Sequence, residues 1–188
     1  MRFYISFSNY MQKYANKKFV LPLFMMFVVL LTIMQKISTS SPLLKTGTLD
    51  MQYSGYNQTI VYSMLDSMGI TGRQLYIWLL GVDVLFIFVF TLLLSLMLTV
   101  LTRKARLRES FKLINMLPFV RGILDVVENC MILAILLNYP FKLPVIVAIS
   151  SVVTVSKFIV LAATSILLLG LGVLIAWKAF KTKEIQLK

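Results

Sequence analysis

Histidine is missing altogether, cysteine occurs once, and acidic residues number seven against nineteen lysines and arginines in a chain of 188. The lack of histidine removes the usual ligand of a catalytic zinc and the commonest general base. The lone cysteine, Cys130, lies in an apolar run and excludes a disulfide framework within the monomer. Charge of any kind is scarce: 14% of the residues are charged and 59% are hydrophobic, whereas a soluble domain of this size needs nearer a quarter charged. The chain has no P-loop, no G-x-S-x-G, no metal-ligand cluster and no G-x-x-x-G in an apolar run. It also lacks an evident internal repeat, which disfavours a carrier built from inverted halves. No residue is assigned to catalysis on these grounds, and neither a cofactor nor a metal is expected.

Long apolar runs are what the chain does have. They lie at Phe19 to Met34, Leu75 to Leu101, Leu117 to Leu137 and Val145 to Trp177. About 20 helical residues cross a bilayer core, so the first run is short, the third fits, and the second and fourth are long enough to tilt or protrude. The expected fold is all-α, a polytopic four-helix membrane bundle forming a single domain over residues 1–188, with spans at about 19–35, 72–101, 117–138 and 144–177. An outer loop at 36–71, a cytoplasmic turn at 102–113 and a tail at 178–188 complete it.

The basic surplus sorts by side. Four lysines and arginines precede the first span, five fill the turn after the second, and four follow the last, thirteen of the nineteen in all. By the positive-inside rule both termini face the cytoplasm, in a cell (plasma) membrane. The expected partners are membrane lipids, with anionic headgroups at the cytoplasmic face, rather than nucleic acid. Four helices are few for an alternating-access carrier, so transport would call for a homo-oligomer or another membrane-protein partner. A cleaved signal peptide is disfavoured by the long lead before the first apolar run and by the lack of a small-residue cleavage pattern. The lead-in over residues 1–18 instead reads as an interfacial segment in which Phe3, Phe7, Tyr10 and Tyr14 dip into headgroups.

In the outer loop, Asn57 is placed to cap a short surface helix over about 58–68, with Ile60, Val61, Met64, Leu65 and Met68 apolar and Gly69 as its stop. Burial of Ile60, Met64 and Met68 is expected. Asn57-Gln58-Thr59 is also a glycosylation sequon.

The polar residues inside the spans are expensive there and usually mark a site. In the third span, RGILDVVENCM places Arg121, Asp125 and Glu128 on one helix face, with Asn129 beside them and Pro118 at the helix start. The second span has Asp83, with Tyr76 one heptad earlier; the fourth has Ser150, Thr154, Lys157 and Thr164 at helical spacing. Counting about 1.5 Å per residue from the cytoplasmic ends puts Asp83 and Lys157 in one outer layer. The sequence thus suggests an Asp83 and Lys157 gate pair, with Glu128 the acid left without a full ionic partner. As a purely structural alternative, Lys157 with Asp83 and Arg121 with Asp125 are ties fixing bundle register.

The order of features resembles a widespread family of small four-helix membrane proteins. The carrying residues are LDSMG and GRQLY, Asp83 in the second helix, the D-x-x-E-N of Asp125, Glu128 and Asn129 in the third, the NYP turn at Asn138 to Pro140, and TVSKF with Lys157. The likeness covers about residues 50–170, does not include Arg121, and brings no activity with it. It implies a shared polar site of Asp83, Asp125, Glu128, Asn129 and Lys157; apart from the likeness, helical spacing offers Tyr76, Arg121, Ser150 and Thr154 as a next layer.

Three functions follow as expectations. The leading one is a non-enzymatic membrane protein whose carboxylate and lysine site binds a small or lipid-like ligand, or conducts protons or cations. The second is an intramembrane enzyme on a lipid or isoprenoid substrate, with Glu128 as general acid or base and Lys157 stabilising developing negative charge. The third is a structural or assembly subunit of a membrane complex.

Overall fold

A computed structural model describes residues 10–11, 13–40, 44, 47–107 and 109–186; Arg2, Phe3, Phe7, Arg108 and Lys188 lie outside the described residues. Four helices run in chain order: α1 Lys17–Ser40, α2 Gln58–Lys104, α3 Leu117–Asn138 and α4 Pro144–Gln186. Short 3-10 segments, Leu49–Met51 and Glu109–Met116, lie in the connections, and there is no strand among the described residues.

Three of the helices, α1, α2 and α4, are long and apolar enough to cross a membrane. The fourth, α3, carries Arg121, Asp125 and Glu128 within its 22 residues, and those three charges set it apart. Phe24, Trp78, Phe88, Ile159, Leu169 and Trp177 all point outward and are exposed. An apolar surface of this extent, spread over several helices, exceeds what a soluble monomer presents and is that of a membrane protein.

Local chemistry explains where the helices start and break. Asn16 caps α1, its Oδ1 accepting from the Lys18 N–H at 2.9 Å, and Pro118 opens α3 where a missing N–H is harmless. At the start of α2, Asn57 Oδ1 accepts from the Ile60 N–H at 3.0 Å. Twelve residues after Asn57 the helix breaks at Gly69, whose φ of 63° and ψ of −172° suit only glycine. Arg73 then reaches back across the break to donate to the Leu65 carbonyl at 2.8 Å, satisfying one orphan acceptor of the first segment. That segment buries Val61, Met64, Leu65 and Met68. Ile60 does not follow them: it is 43% exposed, because one residue of helix turns it about 100° away from the face that Val61 shares with Leu65 and Met68.

Packing divides the bundle into ends. One apolar cluster gathers Leu44, Leu49, Tyr56, Leu65, Met68 and Tyr76 with Ile132, Ile135 and Val147. At the other end, Met11 and Ala15 pack on Leu96, and Leu98, Ala105 and Leu171 form a neighbouring group. Hydrogen bonds fasten that second end, from Arg103 Nη2 to the Ala15 carbonyl and from Lys178 Nζ to the Ala105 carbonyl, both 2.9 Å. Where α2 meets α3, a Cβ added to Gly122 would stand 2.5 Å from Thr91 Oγ1, so only glycine lets these helices approach so closely. Next to Thr91 on α2, Phe90 stacks with Phe27 of α1 at 5.1 Å between ring centroids.

Candidate functional site

Between the two ends the helices bring polar side chains together, and α3 and α4 supply most of them. On that helix Arg121, Asp125, Glu128 and Asn129 are all buried, with Glu128 0% exposed. Arg121 Nη2 pairs with Asp125 Oδ2 at 2.7 Å, one helical turn along the same face. Lys157 enters from α4 and holds two carboxylates at once. Its Nζ is 3.2 Å from Asp125 Oδ1 and in direct contact with Glu128 Oε2. The other Glu128 oxygen accepts from Thr154, one turn before Lys157. Arg121, Asp125, Lys157 and Glu128 therefore form an alternating chain of two cations and two anions. Desolvating such charges is costly, and their pairing and hydrogen bonding offset that cost.

The expected Asp83 and Lys157 pair is not formed. Asp83 Oδ2 instead accepts from Asn129 Nδ2 at 2.7 Å, and Lys157 turns inward to the two α3 carboxylates. The flexible lysine stem lets the ammonium lie well away from its own Cα, so Cα depth misleads as a guide to pairing. The expected surplus acid is also different: Glu128 has both oxygens engaged, and Asp83 has no cation within ion-pair distance among the described residues.

Two residues of the outer loop enter the site unannounced. Tyr56 is buried, its hydroxyl 2.6 Å from Ser150 Oγ and 3.2 Å from Thr154 Oγ1. Burial pushes the Tyr56 phenol above its ordinary range against the opposing hydrogen bonds with Ser150 and Thr154, so it remains a donor. Ser151 anchors the same loop, accepting from the Tyr56 N–H at 2.8 Å. Asp50 accepts at Oδ1 from the Tyr76 hydroxyl at 2.8 Å, and that hydroxyl in turn accepts from the Leu49 N–H at 2.9 Å. Tyr76 is thus a fastening for the loop, its hydroxyl engaged by Asp50 and Leu49, while Asp83 is engaged by Asn129. A loop tyrosine reaching 94 residues along the chain leaves no periodic trace; the available signal was that Asp50 is one of only seven acids.

Beside this network is a cavity of about 510 Å³. Leu31, Met34, Leu79, Phe86, Phe90 and Leu161 form its apolar wall, and Asp50, Asp83, Arg121, Asp125 and Lys157 its polar one. The walls come from α1, α2, α3, α4 and the outer loop. The size and the mixed lining are those of a small-molecule site. Among the described residues no group of three or more acids or cysteines is placed to hold a metal ion. No family model matches the chain, and no curated protein or solved structure matches it either.

Proposed function

We propose that this chain is a multi-pass integral membrane protein of the plasma membrane, with both termini cytoplasmic, which binds a lipid-like ligand in the cavity beside the carboxylate and lysine network. The observation that carries the reading is the cavity of about 510 Å³, apolar on one side and charged on the other, opening between helices that themselves suit a bilayer. Orientation rests on charge. The lead-in to α1, the C-terminal end of α2 and Lys178 of α4 meet at one end of the bundle, the end that holds most of the lysines and arginines among the described residues.

The network favours binding over catalysis. Glu128 has one oxygen on Lys157 and the other on Thr154, and Lys157 is held between Glu128 and Asp125, which disfavours Glu128 as a general base. Native mass spectrometry of the chain released from mild detergent tests the reading. A discrete bound amphiphile is expected, lost when Leu161→Trp fills the apolar wall. A bare protein mass under conditions that retain the fold would contradict it.

Proton movement is a second reading, favoured by one specific feature: the continuous run of groups from Glu128 through Thr154 and the Tyr56 hydroxyl to Ser150. Proteoliposomes carrying the chain would then dissipate a pH gradient, and Tyr56→Phe would stop them by removing the relay hydroxyl. Equal leak with and without the protein would dismiss it.

A further inference from the structure

We infer that the ligand of this cavity is an amphiphilic amine: a protonated amino group flanked by an oxygen acceptor, on a hydrocarbon tail. The inference rests on the cavity-binding function proposed above and names its ligand class. Four of the chain's seven acids, Asp50, Asp83, Asp125 and Glu128, gather here against two cations, Arg121 and Lys157. Both cations are spent on Asp125 and Glu128. What remains is Asp50 and Asp83, each hydrogen-bonded to a neutral group, Tyr76 or Asn129, and neither with a cation among the described residues. Two carboxylates lining one cavity beneath an apolar wall call for a positive charge, since low dielectric magnifies the deficit.

Arg121 supplies the second, independent requirement. It is 8% exposed and lines the cavity, yet its Nε and Nη1 have no hydrogen-bond partner. Buried guanidinium N–H groups ordinarily have acceptors, so an oxygen on the ligand close to its amine would complete the site. The rest of the wall is apolar: Phe90, with Arg121 over its ring and Phe27 stacked on it, leads to Leu31, Met34, Phe86 and Leu161, which can receive a chain. A free amino alcohol in water and a long-chain one in the membrane share the polar chemistry; the apolar wall favours the second.

Equilibrium binding of a labelled long-chain 2-amino alcohol to the full chain in maltoside micelles tests this. Saturable binding is expected, with Asp83→Asn weakening it about tenfold, the effect of losing one charge-assisted contact. Asp50→Asn, which keeps the Tyr76 hydrogen bond and sits in the outer loop between α1 and α2, gives the same test if Asp83→Asn does not fold. The neutral diol and the alkyl phosphate of equal length should each compete at least about tenfold less well, and short-chain ethanolamine should not compete. Equal competition by the diol, preference for the alkyl phosphate, or wild-type affinity in the Asp50→Asn, Asp83→Asn double variant would overturn the amine class while leaving a lipid-binding cavity. Wild-type protein that binds none of these amphiphiles, and carries no adduct by native mass spectrometry, would overturn both.

Discussion

Lys157 stands between two buried carboxylates, so its loss should be felt first as stability. Lys157→Met leaves Glu128 and Asp125 short of a cation and should cost about 3 kcal/mol or more in detergent unfolding, the usual penalty for an orphaned buried charge. Adding Glu128→Gln to that variant should recover part of the loss, because the amide still accepts from Thr154 while carrying no charge. A charge swap between Asp83 and Lys157, by contrast, should rescue nothing, since the two do not pair. Sequence alone exposed every member of the α3 group, because ionisable residues in an apolar helix stand out by cost. It anticipated Arg121 with Asp125 but set Lys157 against Asp83: a lysine can lay its ammonium down a helix by several ångströms, so which acid it meets is decided by side-chain conformation that spacing does not encode.

At the scale of elements, the α2 and α3 contact is the most sensitive. Gly122→Ala would press a methyl on Thr91 Oγ1 and should destabilise the fold by roughly 1–3 kcal/mol, as overpacking does. Thr91→Ala should be nearly neutral alone, because that hydroxyl is buried without a partner, and should restore the Gly122→Ala variant in thermal unfolding. The outer segment makes a second case. Met64 is buried against the bundle, so Met64→Lys should open residues 58–68 to limited proteolysis, with no change expected for Ile60→Lys on the exposed side. These helices were legible because caps, glycine and apolar periodicity coincide: Asn57 and Gly69 act locally, within three or four residues. Asn115 was not. Its Nδ2 donates to Thr99 Oγ1 at 3.0 Å, and its carbonyl accepts from Ser95 at 2.7 Å, tying the connection before α3 back onto α2. That bond depends on how two helices lie against each other, for which KLINML contains no signal.

For the whole molecule, orientation is the first test. In a Cys130→Ser background, cysteines at Tyr53 and Lys142 should label from outside intact cells, and one at Arg106 only after the inner face is opened. External labelling at position 106 would reverse the assignment of sides. The central claim, that a particular amphiphile occupies the cavity between these helices, is tested most directly by photo-cross-linking in native membranes. A benzoylphenylalanine at Phe158 lies on the cavity wall, while one at the neighbouring Ile159, 64% exposed, faces outward. The account predicts that position 158 captures one discrete amphiphile that position 159 does not, position 159 collecting only bulk lipid. The same mixture of bulk lipids at both positions would contradict it.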